Sequence, residues 1–502
     1  MISAFASTLK VPELRERIIF TLLMIVIIRL GVHVTLPGVD ASVIADYLKD
    51  KQAAGGESGA GAAVGAMLGM FSGGGLQKMG VFALGIMPYI SASIMMQLMT
   101  AVVPKLAKLA REDGGREKIS QYTRVITIII ALVQGYLLAL SLKNPGNIPG
   151  LGGIEKFGAV VPDYGWSFIA LTVLTIVSGT LLLMWIGDQI TDRGLGNGVS
   201  LIITVNIISA LPGALVITWK TLISGDAGPG AAAFLVFLVA FLIFVIAATI
   251  AITQAQRRIV IQYAKRVMGR KQLGGQTQYL PLKVNYAGVM PIIFATAILS
   301  LPAFILNAAF PTAEWSVKLQ NMLAGGELGY YLIAGLMIFF FSYFWVATMF
   351  QPSEISENLK RSGGYIPGVR PGKPTADFLD FTMTRLTFAG AFFLTIIFIL
   401  PWVVAQMPRG IIGSELPFMV TSFFGGTSLL IIVGVLLDFM RQVETHLLQR
   451  NYDGFLRKGK IKGRYDRLQN TGERASSSTL LYLAIFVAIL VIVGVAYWGY
   501  SG

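Results

Sequence analysis

Hydrophobic positions in this chain gather into runs of about 20 residues, separated by polar and often basic stretches. Runs at about 18–36, 80–103, 121–142, 165–187, 198–218, 230–253, 284–310, 328–350, 382–406 and 418–440 predict ten helices. Each can cross a hydrocarbon core of about 30 Å. The first follows Lys10, Arg15 and Arg17, as an export signal would. It is long and lacks a small-residue cleavage site behind it, so it reads as the first span. An eleventh uncharged run, 480–499, follows a basic linker and predicts a further C-terminal span.

The pattern breaks between the first two spans. Residues 37–66 are Gly/Ala-rich with scattered acids. An apolar piece follows at 67–79, interrupted by Ser72-Gly73-Gly74-Gly75. It is too short to cross, so a re-entrant or interfacial segment on a glycine hinge is expected.

Two short phrases recur. Gly85-Ile86-Met87-Pro88-Tyr89-Ile90 returns as Gly288-Val289-Met290-Pro291-Ile292-Ile293, and Gly198-Val199-Ser200-Leu201-Ile202-Ile203 as Gly426-Thr427-Ser428-Leu429-Leu430-Ile431. Both early copies precede both late ones. They fall in spans two and seven, and in five and ten. A separation of five spans gives the two halves opposite orientation. Such an inverted five-plus-five repeat places a pathway between the halves near the membrane midplane. The expected organisation is therefore a first half over 1–220, a second over 221–450, a basic linker over 451–478 and an extra span over 479–502.

Charge adds orientation. Of the 40 Lys and Arg, 29 fall on the side of the N terminus and 7 on the opposite side. Basic loops stay cytoplasmic, so the N terminus is expected there. A net charge of +14 with 55% hydrophobic residues reflects those loops first. The loop around Arg257, Arg258 and Lys265, and the Pro/Gly-framed loop that carries Arg370, admit two readings. They could contact anionic lipid, or dock RNA phosphate or an acidic protein face.

Candidate chemistry is sparse. There is no cysteine, and the only histidines are His33 and His446, so neither thiol catalysis nor a histidine-clustered metal is expected. No phosphate-binding loop of the G-x-x-x-x-G-K-[ST] kind occurs. No enzyme and no cofactor are expected. The side chains that the matched phrases offer to a shared axis are Ile86, Ile90, Val199, Ile203, Ile293 and Ile431. A ring of them would exclude water and ions, although branched aliphatics in a span also face lipid or core. Ion-coupled carriers place Asp, Glu or His inside the membrane, and the span centres here hold almost none. An ion-coupled small-solute carrier with the same repeat is the alternative to a passive conduit.

Five phrases carry a family resemblance: Phe82-Ala-Leu-Gly-Ile-Met-Pro-Tyr-Ile-Ser-Ala-Ser, Lys118-Ile-Ser-Gln-Tyr-Thr-Arg124, Gly194-Leu-Gly-Asn-Gly198, Leu280-Pro-Leu-Lys-Val-Asn285 and Phe424-Gly-Gly-Thr-Ser-Leu-Leu430. In this order, over about 10–465, the chain resembles the bacterial SecY family, the central channel subunits of the secretion translocon. The resemblance implies an all-α, ten-helix clamshell in the bacterial cytoplasmic membrane. It would conduct unfolded secretory proteins across and release transmembrane segments sideways into lipid. By resemblance, the six aliphatics match the pore ring. Met67, Leu68, Met70, Phe71, Gly73, Gly74 and Gly75 match the plug and its hinge. Ser91, Gln97 and Thr123 match the lateral gate between spans two and three and spans seven and eight. Arg257, Arg258, Lys265 and Arg370 match the docking loops. The implied partners are SecE and SecG, the SecA ATPase, the ribosome and the unfolded preprotein, with SecDF and YidC beyond them. The Gly/Ala insertion at 53–66 and the run 480–499 depart from the family pattern.

Overall fold

In the computed structural model the described residues are 12–53, 65, 68–148, 151–220, 231–263, 266–268, 271–273, 277–309, 313–323, 327–406 and 427–457. The expected linker beyond 457 and the expected span at 480–499 lie outside them.

A helix occurs at each of the ten predicted spans. In the first half these are α1 (Pro12–Val32), α3 (Met87–Val102), α5 (Gly115–Ser141), α6 (Trp166–Arg193) and α7 (Gly198–Trp219), with α2 (Ala41–Ala53) and α4 (Pro104–Arg111) between them. In the second half they are α8 (Ala231–Gln254), α9 (Met290–Ala309), α11 (Leu328–Met349), α13 (Lys373–Gln406) and α14 (Thr427–Arg457), with α10 (Glu314–Leu323) and α12 (Pro352–Arg361) between. Six described helices are each long and apolar enough to cross a membrane. The pair α3 and α4, bent by 105° at Pro104, makes a seventh. This multi-pass character explains the exposed apolar surface. Leu332, Leu336 and Phe340 stand one turn apart on α11, each more than half exposed, as side chains that face lipid do.

The repeat is visible as local geometry. Helix α3 starts at Met87 rather than at 80, and α9 at Met290 rather than at 284. In both, a glycine with positive φ, Gly85 at 57° or Gly288 at 63°, turns the chain just before the helix. In both, a proline, Pro88 or Pro291, occupies the first turn. There the missing N–H costs nothing, because first-turn N–H groups have no partner within the helix. At Gly85 a Cβ would lie 2.9 Å from Ser72 Cα, so close approach of the preceding segment also requires glycine.

That segment is the short helix 68–72 followed by turns to residue 86. Its far end is tethered to the end of α1. Leu36 N–H donates to Met79 C=O at 2.8 Å, and Val81 N–H donates to Val34 C=O at 2.8 Å.

The cytoplasm-assigned loops are not loops throughout. Strands β1 (Gln256–Tyr263), β4 (Thr277–Lys283) and β5 (Gly364–Tyr365) form an antiparallel sheet in the order β4-β1-β5, and β2 (Arg266–Met268) pairs with β3 (Lys271–Leu273). Arg258 stands opposite Pro281, and a proline is tolerated because β4 is an edge strand. The fold is thus mostly helical with a small sheet in the loop region, an element the span pattern alone does not predict. Contacts group residues 1–442 as one unit and 443–502 as a second, of which the helical residues 443–457 are described.

Candidate pore constriction, closing segment and lateral opening

Ile86, Ile90, Ile203, Ile293 and Ile431 are each at most 4% exposed. Val199 is partly buried and packs against the same cluster. These six side chains come from the α3 entry, α7, α9 and α14, two elements from each half. Phe71 of the short helix joins the cluster. Five of the six aliphatics are therefore buried in one large apolar core, with Val199 packed against it.

Short helix 68–72 lies against this cluster. Met70 and Phe71 are buried. Ser428 Oγ of α14 is 3.4 Å from Met70 Sδ, and Asn206 Nδ2 of α7 donates to Phe71 C=O at 2.8 Å. Leu68 packs instead with a second cluster, built from Leu36, Leu76, Met79, Leu84 and Leu138 among others. Gly73, Gly74 and Gly75 link the short helix to its tethered end, Gly73 at φ 65° and Gly74 at φ 85°. Met67 lies outside the described residues.

Of the three lateral positions, Ser91 shares a small cavity with Ser300 of the second half. Helix α9 packs on α3, on α5 and on α11, so one seam runs between α3/α5 and α9/α11. Ser91 is partly buried and lines a water-sized cavity of about 30 Å³ with Gln134, Ser300, Leu68 and Met87. Gln97 Nε2 donates to Ser93 Oγ at 3.2 Å, and its buried Oε1 has no partner among the described residues. Thr123 Oγ1 donates to Ile119 C=O of its own helix at 2.9 Å. One residue on, Arg124 pairs with Asp188 of α6 at 2.7 Å, a contact that spacing could not reveal.

Arg257 and Arg258 are exposed on β1. Arg370 is exposed beyond a turn with Val369 N–H donating to Ile366 C=O at 3.0 Å. Pro367 at its second position and Gly368 at φ 82° fit a type II turn. Thr375 Oγ1 holds the Arg370 carbonyl at 2.8 Å. Because β5 pairs with β1, one sheet carries both basic loops. Lys265 lies outside the described residues.

Comparison with known proteins identifies the family. The SecY family profile matches residues 80–440. Protein translocase subunit SecY of Streptomyces scabiei is 40% identical over 459 residues, covering 91% of this chain and 100% of the relative. This chain belongs to the SecY family. SecY of Aquifex aeolicus is 42% identical over 454 residues, 89% of this chain and 98% of the relative. Among solved structures, a protein-conducting channel matches with a TM-score of 0.57 at 16% identity, over 86% of this chain and 92% of that one. Sec61 in a canine ribosome–channel complex from the endoplasmic reticulum matches at 0.54 and 14%, with the same coverage. At such identities these two speak for the SecY fold.

Proposed function

We propose that this chain is the protein-conducting subunit of a bacterial Sec translocase. It passes unfolded secretory proteins across the cytoplasmic membrane, with its N terminus in the cytoplasm, and releases transmembrane segments into lipid. The observation that supports this reading is that Ile86, Ile90, Ile203, Ile293 and Ile431, drawn from both repeats, are buried in one large apolar cluster that also contains Phe71, with Val199 packed against it. An unfolded chain presents a different side chain at every register. A passage for it gains nothing from specific hydrogen bonds and needs a yielding apolar collar, which seals when empty. In this reading 68–75 is the plug, and the seam of Ser91, Gln97 and Thr123 is the lateral gate.

Partners follow from the same reading. SecE and SecG would brace the helices, and SecA or a ribosome would dock on the sheet that presents Arg257, Arg258 and Arg370. SecDF and YidC would act on emerging chains. The chain itself would perform no chemistry and hold no cofactor. An ion-coupled carrier needs a buried ionisable group. Among the described residues no Asp, Glu, His, Lys or Arg is buried.

Asparagine at Ile90 and Ile293 tests the collar. An unpaired buried amide costs ~1–3 kcal/mol, so the closed state should weaken. The expected result is ion leakage in planar bilayers and export of proteins with weakened signals. Unchanged conductance together with unchanged stringency would remove the collar from the account.

A further inference from the structure

The short helix 68–72 ends in a way that its own backbone does not complete. Gly73 is left-handed at φ 65°. Gly74 N–H donates to Gly69 C=O at 2.7 Å, the closing bond of a Schellman motif. Ser72 C=O accepts from Gly75 N–H at 3.2 Å. Two further carbonyls are satisfied from elsewhere. Phe71 C=O accepts from Asn206 Nδ2 of α7 at 2.8 Å. Gly73 C=O accepts from Arg29 Nη1 of α1 at 3.3 Å. Asn206 is 2% exposed, and its Oδ1 has no partner among the described residues. A Cβ on Gly73 would stand 2.5 Å from Asn206 Oδ1 and 2.7 Å from Arg29 Nη1. The two side chains therefore close over the backbone at a residue that offers none of its own. A guanidinium also suits the carbonyl end of a helix.

We propose that Arg29 and Asn206 are positioning residues that latch the plug shut, a helix cap supplied by two spanning helices. This rests on the reading of 68–75 as the plug. Both bonds go to main-chain oxygens. Beyond the hinge the bonds of Leu36 to Met79 and of Val81 to Val34 form a tether that opening need not break. Movement of 68–75 would release both latch bonds together and keep the tether.

The test uses the whole channel with its partner subunits, reconstituted in planar bilayers, and an export assay with normal and weakened signals. The variants are Asn206→Ala, Asn206→Asp (which keeps the shape and loses the N–H donor), Arg29→Gln and Arg29→Lys. Each is made in the full channel and in one lacking 68–75. Loss of one hydrogen bond should raise resting conductance about five-fold, with export through normal signals retained. Asn206→Asp should behave as Asn206→Ala, and Arg29→Lys should stay nearer the parent. In the deleted channel the same substitutions should add nothing. If the deletion leaks but the four variants do not, the latch is wrong and the plug reading stands. If the deletion does not leak, the plug reading falls and the latch with it. Equal added leakage with and without 68–75 would mean that the substitutions act on helix packing, and would also overturn the latch.

Discussion

At the scale of single residues, the packing around the segment 68–75 depends on where side chains are missing. Gly73 combines a left-handed backbone with a site where a methyl group would meet both Asn206 and Arg29. An L-residue in that conformation costs ~1–2 kcal/mol, before any clash. Gly73→Ala should therefore displace the plug and raise resting conductance several-fold, and Gly74→Ala should do so less. At Gly74 no atom would stand within 4 Å of the new Cβ, although its φ is also positive. Single-channel recording of the two variants checks the order, and the reverse order would contradict the account. The Arg124–Asp188 pair is different in kind. Its side chains are 48% and 29% exposed, so it contributes at most ~1 kcal/mol.

Elements bring the second kind of control. Strand β1 turns two basic loops into one surface by pairing with β4 and β5, which holds Arg257, Arg258 and Arg370 on a common support. Charge reversal at Arg257 and Arg258 should slow motor- or ribosome-driven export by roughly an order of magnitude, as loss of complementary charge does to association. Resting conductance should not change. ATP-driven export into inverted vesicles, read beside conductance, separates the two; equal loss of both would speak for a folding defect. The strands were also the part the sequence hid. Arg258-Ile259-Val260-Ile261 is a short β-like run, but beside runs of about 20 apolar residues it reads as a basic loop. The spans were legible because crossing hydrocarbon demands a fixed length. Their starts were less so. Apolarity continues through 80–86, where the backbone turns, and only Gly85 and Pro88 mark the true entry to α3. Gly288 and Pro291 do the same for α9.

Over the whole molecule, repeat order and loop charge already implied two inverted halves around an apolar axis. Five of the six aliphatics are buried in one large apolar cluster, and Val199 packs against it. What no phrase could show is the pair of bonds from Arg29 and Asn206 to the segment 68–75, because they go to main-chain oxygens that carry no sequence signature. Absence of cysteine makes the decisive measurement direct. Single cysteines at Ile90, Ile203, Ile293 and Ile431, with one at lipid-facing Leu336 as reference, can be oxidised against a cysteine in a secretory chain arrested midway. Disulfides at the four aliphatic positions and not at Leu336 are the predicted result. Bonds at Leu336 alone, or at none of the five positions while the chain is demonstrably arrested, would show that the polypeptide crosses somewhere else.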